Sequence, residues 1–269
     1  MGFRVLNQRG IPVSPQFRLW HRTKARSVLL SAARNSLTLN ETSNPLQPLL
    51  ELLRCPLDGK PLNVEGNALS DGEHTFPFDT GPFAAGTFAA GPFNVGGIPL
   101  FADAYCSPDG RVQQRHYDRI AAAYAANTGY PHTQEYTAYL DQELRDVVVA
   151  EKLGTVAELC CGRGEAFALF GHQITRGVGV DVSMAMLSAA RQLHTKEDFM
   201  FVQGDATALP LADRAFDAVF MLGGIHHVRD RNALFSQVAR ILKPGGHFYF
   251  REPVSDFFLW RTLRAIIYR

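Results

Sequence analysis

Five residues in the second half of the chain have the chemistry of a site for a polar, sugar-bearing ligand. Gly162 and Gly164 take side chains away from a turn, so that a ligand can approach the backbone. Glu158 precedes that turn, and Asp181 follows it by 23 residues from Glu158; a carboxylate so placed can accept from two ribose hydroxyls. Asp205 can accept from an exocyclic amine, with the Ala206 N–H donating beside it. His226 and His227 follow as candidate proton acceptors, with a helix cap or a loop-holding hydrogen bond as the competing role. Taken singly, each acid would serve equally well as a helix N-cap. All of them ending consecutive strands is the stronger signal.

These residues acquire a common location once the elements between them are read. Thr155–Cys161 is an apolar run ending in the glycine turn, and a helix extends through Phe170. Gly177–Val182 is the second strand, Ser183–His194 a helix, Phe199–Gln203 a third strand and Phe216–Leu222 a fourth. Asn232–Leu242 is a helix and His247–Arg251 a fifth strand. Such alternation predicts an α/β fold with a doubly wound, mostly parallel, Rossmann-like sheet. Ligands of these sheets bind beyond the carboxyl ends of the strands, where Glu158, Asp181, Asp205 and Leu222 all fall. Two amphipathic helices precede the sheet: one from Gln114, with Tyr117, Ile120, Ala121 and Tyr124, and one starting at Thr133. A lone Gly-x-Gly also occurs in nicotinamide dehydrogenases. Their fingerprint wants a third small residue where this chain has Phe167, and no hydride-transfer constellation follows.

The motifs taken in order carry a resemblance. Val156–Gly164, Gly177–Ser183, Gln203–Asp217, Gly224–Val228 and Leu242–Gly246 resemble the class I S-adenosylmethionine-dependent methyltransferases, in their quinone-methyltransferase-like (type 11) branch. The match runs over Tyr117–Arg251, about half the chain. The resemblance implies S-adenosylmethionine as cofactor, held by Glu158, Cys160, Gly162, Gly164, Asp181, Val182, Asp205, Ala206 and Leu222. It also implies an in-line displacement in which an acceptor nucleophile takes the methyl group and S-adenosylhomocysteine leaves. Cys160 stands where the family usually has its first glycine, so its side chain is expected to narrow the pocket floor. Asp217 opens the fourth strand at the opposite end and is assigned a structural role.

The N-terminal half divides into a basic leader over 1–48 and a module over 49–105, ahead of the methyltransferase domain over 112–269. Residues 1–40 hold seven Lys/Arg and no acid. That composition resembles an organellar transit peptide, against a disordered extension or translated upstream DNA. The default location is cytoplasmic, with mitochondrion or plastid as the alternative. Thr80–Ala102 is uncharged but rich in Gly and Pro, and is no membrane span. Within it residues 81–95 repeat with a period of five, as a loop insertion. Without the insertion the module resembles the zinc-ribbon-like unit that precedes some methyltransferase domains, on Leu53–Pro56, His74, Phe76-Pro77 and Gly97–Pro99. Asp58 stands where a second ligand Cys is expected, and Ser70 or Asp71 where a third would be. A folded, metal-free module is the expectation.

At the other end, members of the resembled family continue past the fifth strand with a helix and two strands. Here Ser255–Arg269 reads as one apolar helix. The sheet is therefore expected to lack its last two strands and to expose an edge through which copies self-associate. Truncation, completion by a partner and a membrane-surface helix are the three explanations. The 27 basic and 26 acidic residues, less the seven basic ones of the leader, leave a body with 20 basic and 26 acidic side chains. A net −6 argues against DNA and disfavours RNA. The acceptor is expected to be a small or lipid-like molecule. An RNA base, or a non-catalytic truncated relative, are the alternatives.

Overall fold

A computed structural model describes residues 47–79 and 97–252. The leader up to residue 46, the insertion at 81–95 and the helix expected at Ser255–Arg269 lie outside the described residues.

The parallel sheet is built from β5 (Gly154–Leu159), β6 (Ile174–Asp181), β7 (Phe199–Gln203), β8 (Phe216–Leu222) and β9 (Leu242–Arg251), in the order β7-β6-β5-β8-β9. The chain reverses direction of travel between β5 and β8, so the crevice of a doubly wound sheet opens there. Every strand pair in it is parallel. Alternate side chains go to opposite faces: Ala157, Val178, Val180, Met200, Val202, Val219 and Met221 to one cluster, Val156, Phe199, Phe201, Ala218 and Phe220 to the other. The second face is covered by α3 (Pro131–Val147), α4 (Glu165–Phe170) and α5 (Met184–Leu193), through Leu144, Phe167, Phe170 and Leu187.

The first face is covered by α6 (Arg231–Ile241), through Leu234, Val238 and Ile241, and by the N-terminal module. After the single turn α1 (Gln47–Leu50), four short strands form an antiparallel sheet in chain order: β1 (Asn63–Glu65), β2 (Ala68–Ser70), β3 (Thr75–Asp79) and β4 (Ile98–Pro99). Phe78 pairs with Pro99 and Asp79 with Ile98, so β3 and β4 meet directly across the 80–96 segment. The module's Leu53, Leu69, Phe76 and Phe101 share one core cluster with the parallel sheet.

Most element boundaries fall where the sequence pattern puts them; β9 starts at Leu242 rather than His247 and β6 at Ile174 rather than Gly177, and two helices differ at their starts. The first helix, α2 (Pro108–Asn127), starts six residues before Gln114. Ser107 is its N-cap, accepting from Gly110 N–H, and Pro108 fills the first turn, where a missing N–H costs nothing. α3 starts at Pro131 rather than Thr133, again with proline in the first turn.

Candidate functional site

A cleft of about 400 Å³ opens at the carboxyl ends of β5 to β8 and is roofed by α2. That size suits a small organic ligand. Glu158, Cys160, Gly162, Asp181, Val182, Asp205, Ala206, Leu222 and His227 all line it. Gly164 and His226 do not.

Each acid is held differently. Asp181, at the tip of β6, accepts from Gly162 N–H at Oδ2 (2.9 Å) and from Ser183 N–H at Oδ1 (2.8 Å). Each oxygen keeps a lone pair, and burial pushes the carboxyl upward in spite of these bonds. Glu158 accepts from Ala166 N–H at Oε1 (2.9 Å), which caps the first turn of α4. Its Oε2 is buried without a partner, and burial lifts its pKa to about 8. A buried carboxyl oxygen without a partner, on a residue that lines a cleft, suits a cationic ligand group. Asp205 differs from its expected role. Ser107 donates twice to Oδ2, from N–H (2.8 Å) and Oγ (2.6 Å), and Thr207 twice to Oδ1, from N–H (2.8 Å) and Oγ1 (2.7 Å). Burial raises its pKa, but these four bonds prevail and hold it below the ordinary value. The carboxylate thus ties the start of α2 to the end of β7.

The turn after β5 is strained and open. Gly162 has φ +51°, and a Cβ there would meet nothing within 4 Å, so the space above it is free. Cys160 has φ +48° although it carries a side chain. Its Cβ occupies the room left by Gly224, where an added Cβ would come within 2.7 Å of it. Gly164 serves packing: a Cβ there would lie 2.7 Å from His194 Nε2. Phe167, the departure from the dinucleotide fingerprint, is accommodated by glycine on the neighbouring strand, since a Cβ on Gly177 would collide with its ring.

The two histidines part company. His227 Nε2 lies 2.8 Å from the Tyr117 hydroxyl inside the cleft. Burial, followed by the charge of His226, lowers the His227 pKa, so the ring is neutral at neutral pH. His226 is exposed and pairs through Nδ1 with Glu252 Oε2 (2.7 Å) outside the cleft. Glu252 Oε1 also accepts from Ile225 N–H, so this pair holds the loop after β8. At the far end of the sheet Asp217 accepts from Thr155 N–H and from Lys243, a structural tie between β5, β8 and the start of β9.

Sequence reasoning missed Ser107, Tyr117 and Asp118. Asp118 accepts from Ser183 Oγ (2.6 Å) and Ala185 N–H, docking α2 on the start of α5. The Ser107-Pro108 pair was the available signal for the first. Tyr117 was readable only as one member of an apolar stripe.

Residues 157–250 match the family model described as a methyltransferase domain. The chain is 33% identical over 121 residues to a demethylmenaquinone methyltransferase of Paenarthrobacter aurescens, covering 44% of this chain and 45% of that one. It is 31% identical over 114 residues to a fatty-acid O-methyltransferase of Mycolicibacterium smegmatis (41% and 42%). It is 30% identical over 131 residues to a 27-O-demethylrifamycin SV methyltransferase of Amycolatopsis mediterranei (47% and 47%). The match therefore spans less than half the length of these relatives. Among solved structures, the cyclase SpnF superposes with a TM-score of 0.50 at 20% identity, over 56% of this chain and 64% of that one, which is a likeness of fold. The parallel order β7-β6-β5-β8-β9 and the domain match agree: residues 157–250 carry a methyltransferase domain on a Rossmann-like α/β sheet.

Proposed function

We propose that the cleft binds S-adenosylmethionine and that the protein transfers its methyl group to a small or lipid-like acceptor. The observation that carries this reading is Asp181, whose carboxylate is fixed by two backbone N–H groups at the tip of β6 with a lone pair left on each oxygen. Glu158, Cys160, Gly162, Val182, Ala206 and Leu222 complete the cofactor wall, with Gly164 supporting the turn from behind and Asp205 fixing the roof. The cofactor supplies an electrophilic methyl group on a sulfonium, which departs as a neutral thioether when an acceptor lone pair forms the new bond. Because that carbon is already activated, the protein's task is alignment. An acceptor that must lose a proton finds the Tyr117–His227 pair in the cleft, with a neutral imidazole able to take it. The named relatives act on demethylmenaquinone, a fatty acid and 27-O-demethylrifamycin SV, which supports the small-molecule class. Among the described residues no helix is long and apolar enough to cross a membrane.

Isothermal titration tests the reading. S-adenosylmethionine should bind one to one, and Asp181→Ala should weaken binding by at least an order of magnitude. A folded protein that shows no binding would refute both the site and the activity. Transfer of labelled methyl to a small-molecule extract, and not to total RNA, is the expected acceptor result; labelling of RNA alone would overturn the acceptor class.

A further inference from the structure

Two turns of the N-terminal module face each other, and neither belongs to the cleft. In the first, Cys55 to Asp58, Gly59 N–H donates to Cys55 O and Cys55 N–H to Lys60 O. In the second, Asp71 to His74, the Asp71 carboxylate accepts from the N–H groups of Glu73 and His74. One ligand-type atom from each of Cys55, Asp58, Asp71 and His74 lies within 4.8 Å of the other three. Cys55 Sγ is 3.8 Å from His74 Nδ1, which is 3.0 Å from Asp71 Oδ2. Tetrahedral zinc with bonds of 2.0–2.3 Å places its ligand atoms about 3.5 Å apart, and these distances bracket that value.

We infer that these four side chains form a metal site of mixed character, one thiolate, one imidazole and two carboxylates, that takes a divalent ion of the zinc class. Imidazole and thiolate disfavour calcium and magnesium, which want oxygen alone, and four ligands from two turns suit a closed structural site. With the ion bound, the thiolate and two carboxylates would carry three negative charges, balanced by a divalent ion together with Lys60. Lys60 already contacts Asp58 (2.7 Å) and Glu73 (2.9 Å). The inference reverses the expectation of a metal-free module, which counted cysteines and left carboxylates out. Its consequence is a clamp. Cys55 follows directly on Leu53, which bridges to Leu211, and Arg54, whose N–H donates to Pro210 O, so the ion would fix the module where it grips the methyltransferase domain.

The full chain, stripped with a chelator and titrated with cobalt chloride and then zinc chloride, tests this. One equivalent of cobalt should give a tetrahedral visible spectrum with a thiolate charge-transfer band, zinc should displace it, and the melting temperature should rise with either ion. Cys55→Ser should remove the charge-transfer band, while Cys106→Ser leaves it. Asp58→Asn should weaken zinc at least tenfold in competition with a chromophoric chelator. His74→Cys, which keeps four ligands and guards against a variant that merely misfolds, should retain one equivalent and strengthen the charge-transfer band. No stoichiometric uptake, or uptake indifferent to Cys55→Ser and Asp58→Asn, would overturn the site and leave a hydrogen-bonded cluster of Asp71–His74 and Asp58–Lys60 pairs in its place.

Discussion

Glu158 and Cys160 are two residues apart and both carry unfavourable energy that the cleft explains. Glu158 is 1% exposed, its Oε2 has no partner, and its pKa of about 8 leaves it mostly protonated at neutral pH. A bound cation would favour the ionised form, so binding releases a proton and tightens as pH rises. Affinity for S-adenosylmethionine is expected to climb by up to roughly tenfold per pH unit between about 6 and 8 and then level off. Titrations in buffers of different ionisation enthalpy should show the released proton below pH 8, and Glu158→Gln should abolish both effects. A flat affinity profile in the native chain would place the cationic end elsewhere. At Cys160, φ +48° is a conformation that costs a side-chain-bearing residue about 1–2 kcal/mol. Glycine would relieve that strain but add about 0.5–1 kcal/mol of unfolded-chain entropy. Cys160→Gly should therefore leave chemical-denaturation stability unchanged or raised by about 1 kcal/mol, while opening the cleft floor. A clear loss of stability would show that the packing of Cys160 on Gly224 outweighs the strain.

Strands were more legible than helices, and the reason lies in what each buries. β7 and β8 coincide with the apolar runs Phe199–Gln203 and Phe216–Leu222, because strands covered on both faces read as unbroken apolar text. α2 has no fully buried residue, so its periodicity is faint and its start was visible only in the Ser107-Pro108 cap. The role of Asp205 was illegible for a different reason: its Ser107 partner is 98 residues away in sequence. So too was the interlock of α4 with β6, in which glycine on the strand makes room for phenylalanine on the helix. A Cβ on Gly177 would come within 3.1 Å of Phe199 as well as striking Phe167. Neither ring can yield, since Phe167 also packs on Phe199 (4.8 Å between centroids) and Phe201 (5.5 Å). Gly177→Ala should therefore destabilise the fold by about 1–3 kcal/mol, the usual penalty of an overfilled core. Pairing it with Phe167→Leu should recover part of the loss in urea denaturation. Additive losses would mean that the two positions are not in contact.

At the scale of the molecule, the two sheets are one cooperative object because they share a core. Leu53 is fully buried and bridges antiparallel to Leu211, and Ala212 N–H donates to Leu52 O across the same seam. Further along, Phe101 and Ala102 donate their N–H groups to Gln203 O at the end of β7. Arg240 of α6 completes the seam from the other side, donating to Leu209 O and Leu211 O. The module is thus the cover of one sheet face, and removing it would expose Leu209, Leu211 and Val202, all of them buried. Two consequences follow from a shared core. Leu53→Ala, in the module, should cost about 2–5 kcal/mol as a buried large-to-small change. The loss should appear equally in both sheets, since neither can open while the other holds its face. Native-state hydrogen exchange reads this directly: amides of β2 and of β5 should exchange at the same global opening free energy, and Leu53→Ala should lower both by the same amount. If the β2 amides instead exchanged by a separate, cheaper opening, with β5 unaffected by the substitution, the module would be an attachment to the methyltransferase domain and not a wall of it.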